Sequence, residues 1–274
     1  VAKGIVFSKA KEATLKATKG HYPAPIEALE VIKKTYGMSD RPKALEIECE
    51  HFVKCATTDI SKNLIHVFYL TEMVKKSSGV ADKNVKAKTV KSLGVLGAGT
   101  MGGGIAYVAA DKGISVRVID ISHEANTKAL KHAFDLWKKL VKKKVIDSYQ
   151  FSQKTSLVST TLDFSGFKNL DIVVEAIVED MGIKQKVIGQ TAAQMRSDAI
   201  IVTNTSSLSV TEMSKGHPNP EYFAGMHFFS PVHKMPLVEV IRGDKSSDET
   251  IATVFELSKK MGKMPVVVKD GPGF

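Results

Sequence analysis

The chain has 274 residues and a formal net charge of +10, with 43% hydrophobic and 25% charged residues. This is the balance of a globular protein, and no apolar run approaches the roughly 20 residues that a bilayer crossing needs. A basic surplus can serve nucleic acid, a membrane surface or an anionic small molecule. Because the sequence has neither an RNA-binding aromatic motif nor a helix-turn-helix signature, we expect no nucleic-acid partner.

Residues 1–88 have a helical, lysine-rich pattern. The opening VAKGIVFSKAKEATLK predicts an amphipathic helix rather than a secretory signal. Residues 23–37 begin with prolines that suit a helix start and end at Gly37, and residues 44–76 carry apolar side chains at three- and four-residue steps. Residues 77–90 are small and polar, which predicts a linker.

From residue 89 onwards, short apolar runs alternate with amphipathic segments. We predict strands at SLGVLG, SVRVID, TSLVST, LDIVVEAI, AIIVTNT, YFAGMHF, LVEVI and PVVVK. Helices are predicted over Met101–Lys112, Glu124–Lys144, Lys184–Arg196 and Ser247–Met261. This alternation predicts an α/β fold, with a Rossmann-type doubly wound, mostly parallel sheet in residues 89–274 and a helical segment before it.

The stretch GVLGAGTMGGG follows the first predicted strand and holds the pattern Gly97-x-Gly99-x-x-Gly102. In a dinucleotide-binding turn, these glycines permit the tight turn, the approach of a pyrophosphate and close helix packing. Asp120 ends the next strand and should accept ribose hydroxyls, which favours NAD over NADP, although Arg117 is a counter-signal. The alternative is a glycine-rich turn without a ligand. The turn residues predicted to bind the cofactor are Gly97, Gly99, Thr100, Met101 and Gly102.

A dehydrogenase needs a proton acceptor beside the nicotinamide, and histidine suits that task. His227 ends the strand FAGMHF, and Glu239 lies within the apolar strand LVEVI. Since a buried carboxylate is costly unless paired, we expect Glu239 to orient the ring of His227. The alternative is a core histidine and a surface glutamate on an edge strand. His233 follows Pro231 and is expected in an exposed loop, without a chemical role.

Polar residues follow two further strands. Asn204 and Ser206 lie in NTSSL, where they would face the same crevice, or else would belong to the start of a helix near Val210. Glu179 could reach the nicotinamide ribose, with a helix-start acid as the alternative. For Lys184, which follows Glu179 in the sequence, the alternative interpretation is a surface lysine. We expect Asn204, Glu179 and Lys184 on the cofactor side.

Five segments, in order, resemble the L-3-hydroxyacyl-CoA dehydrogenase family over residues 91–274: GAGTMGGGIA, VVEAIVED, NTSSL, MHFFSPVHKMPLVEVI and VVVKDGPGF. More loosely, YPAPIEALEVIKKTYG and HFVKCATTDISKNLIHVFYLTE resemble the end of the enoyl-CoA hydratase part and the connecting helix of multifunctional fatty-acid oxidation α-subunits. The resemblance implies the central part of such a subunit, with residues 1–88 as that helical segment and 89–274 as the NAD-binding dehydrogenase domain.

The resemblance also implies an activity, the NAD-dependent oxidation of (S)-3-hydroxyacyl-CoA to 3-oxoacyl-CoA in fatty-acid β-oxidation. By position, it makes His227 the general base and Glu239 its partner, and assigns Ser206 to the 3-oxygen of the substrate. Glu179 and Lys184 fall on the cofactor side. The sequence departs from many family members at Ser230, where they have asparagine, and it lacks the helical domain that follows in the family.

The implied partners are the hydratase and C-terminal helical domains of a full-length chain, and a thiolase β-subunit in the intact complex. The implied compartment is the bacterial cytoplasm, with the mitochondrial matrix second. No metal is expected, because the spacing of Cys49 and Cys55 fits neither a zinc site nor a redox pair.

Three other functions stay open. The chain could be an NAD-binding module without turnover, or a basic structural or nucleic-acid-binding protein with salt-dependent binding. It could also be a small β-hydroxyacid dehydrogenase, although HFFSP and LVEVI argue against that, since those enzymes commonly use a lysine base.

Overall fold

The computed structural model describes residues 2–274, and the chain divides into two compact units, with the boundary between Met73 and Val74. The first unit is helical. Its helices are α1 (Ala2–Thr18), α2 (Ala24–Thr35), α3 (Arg41–Ala56) and α4 (Asp59–Lys76), the last of which runs past the boundary.

Local chemistry sets the ends of these helices. Pro23 stands at the N-cap position of α2 without a side-chain cap bond, Pro25 lies in the first turn, and Gly37, with φ +80°, follows the end of the helix, as predicted. The carboxylate of Asp40 accepts the amide N–H of Lys43 at 3.1 Å and so caps α3. The apolar pattern over residues 44–76 folds as two helices, because the hydroxyl of Thr58 accepts the amide of Ser61 in the first turn of α4.

The second unit is built on one sheet. Within the described residues its strands are β1 (Ser92–Leu96), β2 (Ser115–Ile119), β3 (Val158–Thr161), β4 (Ile172–Glu175), β5 (Ile200–Thr203), β6 (Phe223–Phe228), β7 (Leu237–Arg242) and β8 (Met264–Lys269). Their spatial order is β3-β2-β1-β4-β5-β6-β7-β8. All neighbours are parallel except β6 and β7. The predicted α/β, mostly parallel Rossmann-type fold is therefore confirmed.

Helices cover both faces of this sheet, which explains why its central strands are continuously apolar. They are α5 (Thr100–Asp111), α6 (His123–Lys142), α7 (Ser148–Ser156), α8 (Met181–Ala192), α9 (Val210–Met213) and α10 (Asp248–Lys260). The four predicted helices are present. The prediction missed α7, whose polar sequence lacks an apolar stripe, although its capping box of Asp147 and Gln150 is visible in the sequence.

The basic run at the end of α6 has the expected arrangement. Trp137 is fully buried and its indole N–H donates to the carboxylate of Asp111 at 3.1 Å, whereas Lys138, Lys142 and Lys143 face away from the core. These lysines thus form a solvated helix face. None of the helices within residues 2–274 has the length and apolarity that a membrane crossing requires.

The predicted linker over residues 77–90 has no regular structure, yet it is tied to α10. The amide of Lys88 donates to the hydroxyl of Thr253 at 2.9 Å, and the ammonium group of Lys260 donates to the carbonyl of Val90 at 2.7 Å. Lys259 donates similarly to the carbonyl of Ser77 at 3.1 Å. This segment is therefore part of the second unit rather than a free tether.

Replacing Thr253 with valine tests this attachment. Thr253 is buried, and valine keeps its shape but removes the acceptor of the Lys88 amide. We expect the free energy of unfolding to fall by about 1–3 kcal/mol, the cost of an unsatisfied buried donor. Urea unfolding followed by the fluorescence of Trp137, the single tryptophan, reports on this unit.

The matched control is Thr127→Val in α6. Thr127 makes the same hydroxyl bond to the carbonyl four residues earlier, at 2.8 Å, but is exposed. The free energy of unfolding of Thr127→Val should stay within about 0.5 kcal/mol of the unsubstituted value. Equal effects of the two substitutions would contradict the attachment of residues 77–90.

Candidate active site

The glycine turn between β1 and α5 has the shape that its sequence predicts. Gly97 has φ +96°, a conformation that favours glycine, and a Cβ at Gly102 would lie 1.9 Å from the carbonyl oxygen of Gly97. A Cβ at Gly99, in contrast, would meet no atom within 4 Å. Two glycines therefore close the turn, and the third leaves open space in front of α5.

Helix α5 begins at this open space. Gly99 is its N-cap and brings no side-chain acceptor to the first amides. Thr100 is exposed and Met101 half-buried. A cavity of about 440 Å³ adjoins the turn, with Gly99, Thr100, Ser122 and His132 among its lining residues. An uncapped helix N-terminus beside a cavity fits the pyrophosphate of a dinucleotide, so these residues fit NAD.

Asp120 lies beside the same turn and stabilises it. Its carboxylate accepts the amide of Ala98 at 2.8 Å and that of Ser122 at 3.1 Å, and it keeps further lone pairs for a ribose hydroxyl. Arg117 points elsewhere, because its guanidinium donates to the carbonyl of Ser165 at 2.6 Å and to the hydroxyl of Ser159 at 3.3 Å. Arg117 is therefore not placed to bind a 2′-phosphate beside Asp120, and the turn favours NAD over NADP.

His227 and Glu239 stand directly opposite each other where β6 and β7 pair antiparallel. The Nδ1 atom of His227 lies 2.8 Å from Oε2 of Glu239, and their side chains are 15% and 21% exposed. Because β7 lies between β6 and β8, Glu239 is not on an edge strand. A carboxylate on Nδ1 leaves Nε2 of His227 to exchange a proton. The ring of Phe229 packs 4.7 Å from the imidazole, centroid to centroid.

Asn204 and Ser206 follow β5 at the same edge of the sheet. The amide oxygen of Asn204 accepts the backbone N–H of Phe228 at 2.8 Å, next to His227. Ser206 is exposed, and its backbone N–H donates to Glu179 at 3.1 Å. Asn204 thus fixes the end of β6, and the hydroxyl of Ser206 is accessible beside it.

Lys184 is not a surface lysine. Its side chain is 1% exposed, and its ammonium lies 2.6 Å from Glu175 and 3.2 Å from Glu179. Burial by itself would raise the pKa of Glu179, but the hydrogen bond from Thr205, the charge of Lys184 and the amide of Ser206 lower it overall. Glu175 was not among the predicted site residues, although a glutamate at the end of an apolar strand was a visible signal.

The loop after β6 is exposed at Pro231 and Lys234, as expected, but His233 itself is half-buried, which corrects the prediction for this side chain. Its ring packs 6.2 Å from the rings of both Tyr107 and His132. Burial, followed by the nearby basic groups of His132, Lys234 and others, lowers the pKa of His233. This histidine is therefore an element of the packing between the loop after β6 and helices α5 and α6.

The chain is similar in sequence to a known family and to known proteins. Residues 92–271 match the family described as 3-hydroxyacyl-CoA dehydrogenase, NAD binding domain. The fatty acid oxidation complex α-subunits of Pseudomonas entomophila and Pseudomonas putida are each 43% identical to it over 270 residues, which is 98% of this chain. The chain spans only 37% of the length of these relatives.

Solved structures agree. An (S)-3-hydroxybutyryl-CoA dehydrogenase from Ralstonia eutropha is 38% identical, with a TM-score of 0.66 over 68% of this chain and 66% of that one. A 3-hydroxybutyryl-CoA dehydrogenase from Escherichia coli is 34% identical, with a TM-score of 0.66 over 68% and 40% of the two chains. The resemblance found in the sequence is confirmed, and the chain belongs to the family of 3-hydroxyacyl-CoA dehydrogenase NAD-binding domains.

Proposed function

We propose that this chain carries the dehydrogenase centre of a fatty-acid oxidation α-subunit and oxidises (S)-3-hydroxyacyl-CoA to 3-oxoacyl-CoA with NAD⁺. The observation that carries the proposal is the 2.8 Å contact between His227 and Glu239 at the carboxyl edge of a dinucleotide-binding sheet. A base held by a carboxylate suits the loss of a proton from a hydroxyl group. The family and the α-subunit relatives supply the substrate class.

In this mechanism, Nε2 of His227 takes the proton of the 3-hydroxyl group, and Glu239 stabilises the imidazolium that forms. The hydroxyl of Ser206 binds the same 3-oxygen. A cofactor held at the glycine turn and Asp120 would supply the hydride acceptor for C3, so that one proton and one hydride would leave the substrate. The apolar ring of Phe229 packs against the imidazole and limits the access of water to the pair, which strengthens the attraction between His227 and Glu239.

The cofactor would lie across the glycine turn, with its pyrophosphate at α5 and a ribose at Asp120. Toward the nicotinamide, Glu179 is the acid with an accessible side chain, 39% exposed. Lys184 and Asn204 support this side from within the protein. These roles follow from the position of each residue at the carboxyl edge, where ligands bind to open parallel sheets.

Residues 1–88 are proposed to be the end of a hydratase part and its connecting helix, and 89–274 the dehydrogenase domain. The chain spans 37% of the length of the Pseudomonas relatives, which supports a longer chain, and a helical domain after residue 274 is part of the same proposal. A thiolase β-subunit as partner, and a bacterial cytoplasmic location, belong to the same proposal.

The direct test is NADH formation from (S)-3-hydroxybutyryl-CoA and NAD⁺, measured by absorbance. We expect His227→Ala to lower kcat by about 100- to 10,000-fold, because the base is lost, while the affinity for NAD⁺ stays unchanged. The control is His66→Ala, which removes an exposed histidine of α4. Full turnover by His227→Ala would contradict the mechanism.

The same sample distinguishes the open alternatives. Binding of NAD⁺ without turnover would make this chain a cofactor-binding module that needs further protein for catalysis. Oxidation of small 3-hydroxy acids in place of the thioester would indicate the smaller-substrate dehydrogenase instead.

The glycine turn gives a second, separate prediction. Gly99→Ala fits the backbone and the open space, so the free energy of unfolding should hold within about 0.5 kcal/mol. The added methyl group would obstruct the pyrophosphate and weaken NAD⁺ binding at least about ten-fold, as measured by calorimetry. Gly102→Ala should instead destabilise the fold by about 1–3 kcal/mol, because its Cβ meets the backbone. Unaltered NAD⁺ binding by Gly99→Ala would refute this placement.

A further inference from the structure

The last residue of β4, Glu175, is the only fully buried carboxylate in the described part of the chain. Its Oε1 atom accepts the ammonium of Lys184 at 2.6 Å and the amide of Ile177 at 2.8 Å, and its Oε2 atom accepts the hydroxyl of Thr203 at 2.6 Å. A charge without water needs such complete pairing. These partners lie in α8, in β5 and in the loop after β4, so Glu175 joins three segments of the chain.

The contacts of Glu175 continue into a closed ring. The hydroxyl of Thr203 also accepts the amide of Thr205 at 3.2 Å, and the hydroxyl of Thr205 donates to Oε1 of Glu179 at 2.5 Å. Oε2 of Glu179 lies 3.2 Å from the ammonium of Lys184, which returns to Glu175. We call these five residues the polar ring.

The polar ring reaches both sides of the proposed active site. Glu179 is on the cofactor side, and its Oε1 atom also accepts the amide of Ser206, the residue on the substrate side, at 3.1 Å. Along the ring the charges alternate, with one ammonium between two carboxylates. The position of Ser206 therefore depends on Glu179, whose position depends on groups that Glu175 holds.

We propose that Glu175 is a positioning residue that, through Thr203 and Lys184, holds Glu179 and the turn of Thr205 and Ser206 in one arrangement. The effect of Glu175 on catalysis rests on the proposed function. Its effect on the arrangement of Glu179, Thr205 and Ser206 does not. Glu175 is buried and touches no ligand space, so it acts through the ring rather than on substrate.

The sharpest test uses Thr203, a ring member that is fully buried within β5. Thr203→Val keeps the shape but opens the ring, and Thr203→Ser keeps the hydroxyl and should rescue it. The first readout is amide hydrogen exchange in the protein without NAD⁺. The Ser206 amide is the informative one, because it is bonded to Glu179 and not to Thr203. We expect its exchange to accelerate at least about ten-fold in Thr203→Val only.

The second readout is kinetic. In Thr203→Val we expect kcat/KM for the 3-hydroxyacyl-CoA to fall by about 10- to 100-fold, chiefly through kcat, because a small displacement of the reacting groups is costly. In the exchange measurement, the amides of α10 serve as the internal reference for global stability.

A second set of variants separates positioning from charge burial. Glu175→Gln leaves Lys184 with a weaker partner, and Glu175→Gln combined with Lys184→Met removes the buried charges together. We expect the double variant to regain the thermal stability that Glu175→Gln loses, yet to keep its low kcat/KM. Glu212→Gln, which removes one carboxylate of an exposed 2.6 Å pair with Lys215, is the matched control.

The outcomes are distinguishable. Unchanged exchange at Ser206 in Thr203→Val, or full activity in the stable double variant, would overturn the proposal. If Thr203→Val accelerates exchange at Ser206 but the wild-type protein neither binds NAD⁺ nor turns over substrate, the result would support the polar ring and reject the proposed function.

Discussion

The reversal of chain direction between β6 and β7 is the constraint on which the active site depends. Only residues 229–236 separate the two strands, and a parallel crossover needs a dozen or more. The short connection therefore forces antiparallel pairing. In that register His227 and Glu239 are direct cross-strand partners, whose side chains lie on the same face within contact distance. The loop that makes the turn also carries Phe229 against the imidazole.

A second regularity concerns the polar side chains at the carboxyl edge. Each accepts a backbone N–H that a strand end leaves without a ladder partner: Asp120 that of Ala98, Glu175 that of Ile177, Glu179 that of Ser206 and Asn204 that of Phe228. Such bonds keep each group in place before a ligand arrives. The site is thus preorganised by three residues that the sequence suggests for binding, Asp120, Glu179 and Asn204, and by Glu175, which it does not.

Much of the fold follows from local patterns. The apolar runs predict the strands, and the glycine turn predicts the start of α5, because the causes lie within a few residues. The direction of β7 does not follow from the alternation of apolar residues; its signal is the short gap between the two predicted strands, which a parallel crossover could not span. The polar ring was hidden: Glu175 and Thr203 meet only because β4 and β5 are neighbours in register. The sequence left a surface lysine open as the alternative for Lys184 for the same reason, since its partner Glu175 lies on another element.

The segment before β1 shows how composition and packing differ. Its small polar residues resemble a tether, and the change in sequence pattern falls near residue 89. Yet α10 binds it from Ser77 to Val90 through lysine and threonine side chains, and a Cβ on Gly79 would collide with the ring of Phe255. A backbone without its own helix or strand must find acceptors and donors elsewhere. This one finds them on the last helix of the sheet unit, which fixes α10 and, through it, the side of the sheet that holds β7.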